Sequence, residues 1–352
     1  MFAKNIKQID LWTSGEGGYD TYRIPALAVT KQGTILAFSE GRKQNRSDTG
    51  DIAMLVKRSN DNGTTWSEQA IVWDDLGHTC GNPSPVVDTT TGVIWLLMTW
   101  NRGDDHERDI VKGTSIDTRR VFVTSSTDDG MTWTEPQDIT DDVKLANWTW
   151  YATGPGHGIQ IEQGDYAGRL VIPCDHIEAE THKYYSHVIY SDDHGQSWRL
   201  GGRSPQDQVN ECEVVELTDG KLMLNMRSYA EDKRARQVTI SNDGGMTWTQ
   251  QHIDQQLIEP ICQASICRYG WNDKIILFAN PASDEKRVNM TLRASLDDGQ
   301  TWSEQVTLFE GHSAYSDIAV CADNRIACLY ECGEDNPYEY LRFALIDIKK
   351  DE

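Results

Sequence analysis

The sequence predicts an all-β fold built from a repeated unit of four short strands. The eight-residue pattern Ser-x-Asp-x-Gly-x-Thr/Ser-Trp occurs five times, starting at residues 59, 126, 191, 241 and 295. Segments of alternating apolar residues precede these boxes, and no segment of any length has a helical period. Four-stranded units that repeat every 40 to 60 residues or so are typical of β-propeller blades.

The spacing of the boxes predicts six blades. The first and last boxes start 236 residues apart, so the four intervals average 59 residues, and the 352-residue chain holds about six such units. One blade therefore lacks a recognisable box. A strand near the N-terminus that completes the last blade would account for both ends of the sequence. No linker or change of composition marks a boundary, so we expect one domain over residues 1–352.

Each box has the residues of a turn between two strands. The Asp carboxylate can accept hydrogen bonds from backbone amides ahead of it, and Gly supplies a positive φ. We expect the Trp ring to fill an apolar gap between neighbouring sheets and its indole N–H to find a polar partner. Because this structural role explains the boxes completely, function must come from residues outside the repeat.

The composition excludes several functional classes. With 33 Lys and Arg against 55 Asp and Glu, the formal net charge is −22, which disfavours binding to nucleic acid or to anionic membrane surfaces. The longest obvious apolar run, residues 93–98, is far shorter than the roughly 20 residues of a spanning helix. We therefore expect no membrane insertion. Nothing in the sequence bears on the oligomeric state.

The cysteines predict neither a disulfide framework nor a metal site. The eight Cys are sparse and include no Cys-x-x-Cys pair. We expect buried strand thiols in the apolar stretches, without a metal or cofactor: Cys174, Cys262, Cys321 and Cys328. The N-terminal segment has no apolar stretch of a signal peptide. This predicts a cytoplasmic protein if Met1 is the native start, and a secreted or cell-surface one if a leader preceded it.

Three arginines stand apart from the repeat. Arg23, Arg227 and Arg287 lie 36, 14 and 8 residues before the next box, so they share no repeat position and the blade architecture does not explain them. Two of them lie in or beside apolar, strand-like stretches, where a guanidinium needs a partner or an anionic ligand. Taken singly, each arginine is better explained by a surface or structural ion pair.

Four motifs together resemble the exo-sialidases (neuraminidases) of the non-viral glycoside hydrolase family 33. The segment 22–25, Tyr-Arg-Ile-Pro, resembles the Arg-Ile-Pro motif of that family, and the five boxes resemble its Asp-box repeats. Residues 210–212, Asn-Glu-Cys, followed by Arg227, resemble its second arginine region. Residues 313–316, Ser-Ala-Tyr-Ser, resemble its nucleophile segment. The similarity extends from about residue 12 to about residue 332.

The resemblance implies a role for particular residues. Arg23, Arg227 and Arg287 would bind the carboxylate of sialic acid. Tyr315 would be the nucleophile and Glu211 its partner base. Asp48 would be the general acid/base, Arg42 would contact the O4 side of the sugar, and Glu331 would pair with Arg23.

The chemistry of sialic acid suits these residue types. Its anomeric carbon carries a carboxylate, which guanidinium groups bind with charge-assisted hydrogen bonds. A carboxylate nucleophile would be repelled by that charge, whereas a neutral phenol is not, and sialidases with a Tyr nucleophile are an established exception among glycosidases. Because a phenol has a pKa of about 10, it needs an adjacent base. We expect an apolar, partly enclosed setting to raise the pKa of Asp48.

Several assignments have competitors in the sequence. Glu213 competes with Glu211, since residues two apart in a strand point the same way. Asp51 competes with Asp48 in the same acidic loop. Four other acidic residues are interpreted as solvated loop charges: Asp75, Asp104, Asp105 and Asp109. Four aromatic residues could wall the site: Trp100, Trp148, Trp150 and Tyr151.

The resemblance predicts an exo-α-sialidase that removes terminal sialic acids from sialylated oligosaccharides, glycoproteins and glycolipids such as gangliosides. It implies net retention through a covalent sialosyl-enzyme intermediate. A trans-sialidase or intramolecular trans-sialidase would use the same residues. A non-catalytic sialic-acid-binding propeller would keep the arginines but lose Tyr315, Glu211 or Asp48, all of which are present. Linkage preference and the choice among Neu5Ac, Neu5Gc and Kdn stay open.

Overall fold

β-strands account for most of the regular structure. The computed structural model describes residues 3–230 and 234–348, so residues 1, 2, 231–233 and 349–352 of the predicted domain lie outside the described residues. Helical structure in these ranges is limited to α1 (Glu107–Val111), α2 (Thr140–Val143) and one 3₁₀ turn (Gly164–Tyr166). None of these helices has the length or apolar character needed to cross a membrane. The predicted all-β class is confirmed.

The described ranges contain 24 strands. The first nine are β1 (Ala3–Thr13), β2 (Thr21–Val29), β3 (Ile35–Arg42), β4 (Ile52–Ser59), β5 (Ala70–Trp73), β6 (Thr79–Val87), β7 (Ile94–Asn101), β8 (Arg120–Ser126) and β9 (Gln137–Asp138). The next nine are β10 (Trp148–Thr153), β11 (Ile159–Gln160), β12 (Leu170–Glu178), β13 (Tyr184–Ser191), β14 (Arg199–Arg203), β15 (Val209–Glu216), β16 (Leu222–Ser228), β17 (Ala235–Ser241) and β18 (His252–Ile258). The last six are β19 (Ser265–Gly270), β20 (Ile275–Pro281), β21 (Val288–Ser295), β22 (Glu304–Val320), β23 (Ile326–Gly333) and β24 (Tyr340–Ile348).

The strands pair as successive antiparallel runs of four. β2–β3–β4–β5 and β6–β7–β8–β9 are joined by one parallel pair between β4 and β6. The next runs are β10–β12–β13–β14, with β11 beside β12, and β15–β16–β17–β18. The long strand β22 belongs to two runs, because its first half pairs with β21 and its second half with β23. Alternating apolar residues of the strands fill the space between consecutive runs.

The strand near the N-terminus completes the last run. β1 pairs antiparallel with β24, with Ile6 opposite Ile346, as expected from the sequence. Each of the five boxes forms the turn between the third and fourth strands of a run. In the run β22–β23–β24–β1 those two strands are distant in sequence and no turn joins them, which explains why one unit has no box.

The boxes share one hydrogen-bonded turn. In the first box, Ser59 Oγ donates to Asp61 Oδ1 at 2.8 Å and accepts from the Gly63 amide at 2.8 Å. The amide and hydroxyl of Thr65 donate to the two Asp61 carboxylate oxygens at 2.8 and 2.6 Å. These two bonds from Thr65 are the main reason that the pKa of Asp61 is lowered to about 2. Gly63 has a φ of 80°, which glycine adopts without strain.

The box tryptophans pack against aromatic neighbours, often from the preceding run. The ring centroid of Trp66 lies 4.9 Å from that of Phe343 in β24, and the centroid of Trp133 lies 5.7 Å from that of Phe38 in β3. The expectation of a polar partner for the indole N–H is correct for two boxes only. Trp248 donates to a carbonyl oxygen and Trp302 to a carboxylate, whereas three indole N–H groups have no partner among the described residues: Trp66, Trp133 and Trp198.

All eight cysteines are buried and free. Cys174 lies in β12 and Cys328 in β23, as predicted. Cys262 and Cys321 lie outside the strands, so their prediction as strand thiols is wrong although their burial is correct. Both stretches alternate like strands, but they lie in the connections between strands.

Truncation of a buried box tryptophan should destabilise the fold. Trp198 is 4% exposed, and Trp198→Ala should lower the free energy of unfolding by about 3–5 kcal/mol because it leaves a cavity. Urea denaturation measures this change. Leu76→Ala, at a position that is 82% exposed, is the control and should change it by less than about 0.5 kcal/mol. Similar losses in the two variants would contradict a structural role for the box.

Candidate active site

One cavity of about 260 Å³ brings together side chains from widely separated strands. It is lined by seven of the eight residues predicted from the sequence: Arg23, Arg42, Asp48, Glu211, Arg227, Arg287 and Tyr315. The eighth, Glu331, does not line the cavity and is hydrogen bonded to Arg23. The structure thus assembles the complete predicted set at one place.

Irregular strand pairing positions three of these side chains. The register shifts after Arg23 in β2, around Glu211 in β15 and around Tyr315 in β22. Bulges of this kind interrupt the alternation of side chains and turn a residue toward a new direction. Ile24, next to Arg23, has a φ of 57°, which is rare for a β-branched residue and occurs mainly where function requires it.

Glu331 is the anchor of the cavity. Its side chain is fully buried, and it accepts hydrogen bonds from Arg23 Nε at 3.0 Å and Arg23 Nη2 at 3.3 Å. It also accepts from the amides of Ile24 at 3.0 Å and Tyr315 at 3.1 Å. Burial lowers the pKa of Arg23, but the Glu331 and Asp48 carboxylates outweigh it and raise that pKa well above its usual value.

Tyr315 and Glu211 are hydrogen bonded to each other. The phenol donates to Glu211 Oε1 and accepts from Arg227 Nη1 at 3.1 Å. Arg227 Nη1 also donates to Glu211 Oε2. Burial, followed by the charge of Glu211, raises the pKa of Tyr315 well above its usual value, and the nearby arginines lower it only in part. The phenol is therefore neutral and its proton points at a carboxylate.

Three guanidinium groups surround the Tyr315 ring. The Cζ atoms of Arg23 and Arg287 lie 5.0 and 5.7 Å from the ring centroid, and Arg227 contacts the hydroxyl. Arg287 donates to the hydroxyl of Tyr338 at 3.2 Å and to the carbonyl of Ile261 at 3.1 Å. No carboxylate pairs with Arg287 within the described ranges, so its charge is available to an anionic ligand.

Asp48 lies at the mouth of the cavity between two arginines. Its side chain is 58% exposed, and its Oδ1 lies 2.8 Å from Arg42 Nη2 and 3.2 Å from Arg23 Nη1. Partial desolvation alone would raise the pKa of Asp48, but Arg42 and Arg23 lower it below its usual value. The expectation of an apolar wall that raises this pKa is wrong, because the wall consists of guanidinium groups.

Comparison with known proteins identifies the family. The model of the BNR repeat-like domain matches residues 33–328. The chain is 35% identical to the sialidase of Micromonospora viridifaciens over 95% of this chain. It is 32% identical to the sialidase of Bacteroides fragilis over 90% of this chain. It spans only 53% and 61% of those two proteins. It is also 31% identical to mouse sialidase-3, over 92% of this chain and 90% of that protein. The chain belongs to the sialidase family.

Solved structures agree with this assignment. The Hadza microbial sialidase Hz136 superposes with a TM-score of 0.85 and 30% identity, over 96% of this chain and 67% of the other. The intramolecular trans-sialidase of Ruminococcus gnavus superposes with a TM-score of 0.78 over 97% of this chain and 98% of its own. At 17% identity, that second likeness concerns the fold alone.

In this sialidase-family chain, Glu211 and Asp48 line the cavity, whereas the acidic residues that compete with them in the sequence do not. Glu213 does not line it, and instead accepts from the Ile266 amide at 2.7 Å and lies 3.9 Å from His157 Nδ1. The bulge around Glu211 breaks the strict alternation that made the two glutamates equivalent in sequence. Asp51 also lies outside the cavity and pairs with Lys43 at 3.0 Å.

The interpretation of four acidic residues as solvated loop charges is wrong for Asp105. Asp105 is buried, and it accepts from the amides of Ile116 at 2.8 Å and Asp117 at 2.9 Å, which closes the loop after α1. Asp104 is exposed as expected, whereas Asp75 and Asp109 are half-buried. Of the four aromatic residues that could wall the site, only Trp150 lines the cavity.

Sequence reasoning missed several residues that line the cavity. The most notable are Arg119, which precedes β8, and Asp175, which lies in β12. Tyr229, Tyr338 and Glu107 complete the walls. None of these residues belongs to a motif. The one signal for Asp175 in the sequence is that it is a polar residue within the apolar stretch 170–177.

Loss of the Glu331 charge should destabilise the protein. Glu331→Gln leaves Arg23 without its buried partner and places an amide N–H against backbone donors. The free energy of unfolding should fall by about 3 kcal/mol or more in urea denaturation. Asp219→Asn, which removes the exposed pair with Lys221, is the matched control and should cost less than about 1 kcal/mol. An equally small change in both variants would show that Glu331 does not anchor the site.

Proposed function

We propose that this chain is an exo-α-sialidase that hydrolyses terminal sialic acids with net retention, without a cofactor. The observation that carries the proposal is a buried phenol, hydrogen bonded to a carboxylate, in a cavity surrounded by three guanidinium groups. This combination suits a sugar that carries a carboxylate on its reacting carbon. Membership of the sialidase family supports the same substrate class.

The arginines would bind the substrate carboxylate. Arg287 has no carboxylate partner among the described residues. Arg227 donates to the Tyr315 hydroxyl, and Arg23 Cζ lies 5.0 Å from the centroid of the Tyr315 ring. Guanidinium groups bind a carboxylate with paired, charge-assisted hydrogen bonds and stay charged when buried. With the carboxylate held there, the anomeric carbon would lie next to the phenol oxygen.

Tyr315 would attack the anomeric carbon. Because its pKa is raised, the phenol cannot ionise before the reaction, so the proton must move to Glu211 as the new C–O bond forms. A neutral nucleophile avoids repulsion from the bound carboxylate. The product of this step is a tyrosyl–sialoside, and Glu211 carries the proton.

Asp48 would act first as acid and then as base. The bond between the anomeric carbon and the leaving oxygen breaks as Asp48 donates its proton to that oxygen. Water then attacks the same carbon, gives a proton to Asp48, and displaces Tyr315, which recovers its proton from Glu211. Two displacements on one carbon give net retention.

Substrate binding would prepare Asp48 for the acid role. In the free protein Arg42 and Arg23 lower the pKa of Asp48. When the substrate carboxylate occupies Arg23, part of that positive charge is neutralised and water leaves the cavity, and both effects raise the pKa of Asp48. The mechanism thus does not require an apolar wall in the free protein.

We also propose that the four-stranded runs are the six blades of one propeller over residues 1–352. The five boxes, the pairing of β1 with β24 and the hydrogen bond between the Leu27 amide of β2 and Asp317 of β22 support this arrangement. A crystal structure in which β2, β6, β10, β15, β19 and β22 surround one axis tests it. Any other arrangement of these strands would refute it.

Tyr315→Phe should lower kcat for an aryl α-sialoside at least about 100-fold, because the nucleophile is lost. Tyr338→Phe is the matched control, since among the described residues that hydroxyl is hydrogen bonded to Arg287 alone, and it should stay within about tenfold of wild type. Absence of turnover by wild type would refute the sialidase proposal.

The covalent intermediate can be examined directly. The sialidase of Trypanosoma rangeli has been captured with 2,3-difluorosialic acid as a covalent intermediate. The same reagent should add one 3-fluorosialosyl group to wild type, with loss of the anomeric fluoride, on the peptide that contains Tyr315, measured by mass spectrometry. A label on any other residue would overturn the assignment of the nucleophile. NMR of the products distinguishes free sialic acid from a transfer product or an anhydro sugar.

Asp48→Ala should affect substrates according to their leaving groups. An alkyl leaving group, as in sialyllactose, needs a proton, so its kcat/KM should fall about 10²–10⁴-fold. An aryl leaving group is stable as an anion, so its kcat/KM should fall by less than about tenfold. Asp51→Ala is the control and should leave both values near wild type. Equal losses for the two substrates in Asp48→Ala would contradict an acid role.

A further inference from the structure

Asp175 is a buried carboxyl group without a partner. It lies in the middle of β12, is 1% exposed, and lines the cavity. Neither of its carboxylate oxygens accepts a hydrogen bond from any described residue. Buried polar groups are almost always hydrogen bonded, because an unpaired one loses its contacts with water without compensation. The mechanism proposed above gives Asp175 no task.

Burial favours the neutral form of Asp175. Burial raises its pKa well above the usual value, and Glu211 and Glu107 act in the same direction. Arg119 and Arg227 lower the pKa but do not outweigh burial. A protonated carboxyl group offers one O–H donor beside one C=O acceptor.

Arg119 forms a second polar element of the same wall. It is 2% exposed, its Cζ lies 4.1 Å from the ring centroid of Trp150, and it donates to Asn101 and Thr99 at 2.9 Å each. Its Nε has no partner within the described part of the chain. Trp150 and Ala152 lie on β10, and Ala152 is directly opposite Asp175. An apolar strip thus adjoins two unsatisfied polar groups.

This wall differs in character from the carboxylate site. The three arginines predicted from sequence converge on Tyr315, whereas no hydrogen bond joins Asp175 to any of them. A neutral carboxyl group beside a guanidinium suits a neutral ligand group that both donates and accepts hydrogen bonds. Hydroxyl and amide groups meet this requirement, and a second carboxylate does not, because it cannot donate to Asp175.

We propose that Asp175 binds a neutral hydroxyl or amide substituent of the substrate and thereby determines which sialic acids the cavity accepts. The inference rests on the proposed sialidase function and extends it to the substituents of the sugar other than its carboxylate. Asp175 is a specificity-determining residue here and takes no part in bond breaking. Asp175 and Arg119 gain hydrogen-bond partners when a sugar with the matching group binds. A sugar without that group leaves them unpaired.

Two variants separate the hydrogen bond from the shape of the side chain. Asp175→Asn keeps a donor and an acceptor in a neutral group of the same size. Asp175→Leu keeps the approximate volume and removes both. On the 4-methylumbelliferyl α-glycoside of Neu5Ac, we expect the Leu variant to lose about 10–100-fold in kcat/KM and the Asn variant less than about fivefold. Thermal unfolding of each variant checks that it is folded.

Two modified substrates identify the group that is bound. The 5-deacetamido glycoside replaces the acylamino group by hydrogen, and a periodate-shortened Neu5Ac glycoside lacks the end of the polyol chain. The difference between wild type and the Leu variant should shrink to less than about threefold for the substrate that lacks the contacted group, and persist for the other. A merely structural defect would lower kcat/KM for all three substrates equally.

The outcomes keep the two proposals apart. Suppose that wild type hydrolyses the substrates. If Asp175→Leu then loses activity equally on all three, or loses none, the role of Asp175 is overturned and the sialidase function is not. An Asn variant as poor as the Leu variant also overturns it, because the neutral hydrogen-bonding group would then be insufficient. Failure of wild type to hydrolyse any of the three substrates overturns the sialidase function and this inference with it.

Discussion

The hydrogen bonds of Glu331 connect strands β2 and β22 at the site. One fully buried carboxylate accepts from the side chain of Arg23 and from the backbone amides of Ile24 and Tyr315. Ile24 belongs to β2 and Tyr315 to β22, so a single group fixes an arginine of the ligand site and the backbone of the nucleophile. Such a charge is stable in the interior only because each of its oxygens is satisfied. The positions of Asp48 and the phenol follow from this arrangement.

The cavity holds arginines without carboxylate partners although the molecule as a whole is acidic. The chain carries a net charge of −22, yet two arginines of the cavity have no carboxylate partner among the described residues. Arg287 contacts a phenol and a carbonyl, and Arg119 contacts amide and hydroxyl oxygens. Exposed charges are screened beyond about 10 Å, so the acidic surface does not cancel these buried cations. The cavity therefore favours an anion on an otherwise acidic protein.

Much of the fold could be predicted from the sequence, because five boxes repeat the same local chemistry and local hydrogen bonds determine each turn. The eight residues proposed for the site were predicted from the resemblance to a known family, whose motifs here include Arg23, Glu211, Arg227 and Tyr315. The features that could not be predicted from the sequence depend on contacts between strands that are distant in the chain. The bulge at Glu211 separates it from Glu213, and the arginines beside Asp48 reverse the expected direction of its pKa shift. Asp175 belongs to no motif and becomes visible only through its missing partners.

The pairing of β1 with β24 can form only late in folding. Ile6 and Ile346 are opposite each other in one sheet, so this contact closes almost the entire sequence, and high contact order slows folding. During synthesis, β1 emerges long before β24, so its edge stays unpaired until β24 follows. Unpaired edges recruit strands from other chains. A second copy that supplied its own β1 to β24 would exchange strands with the first and join two molecules without any new surface.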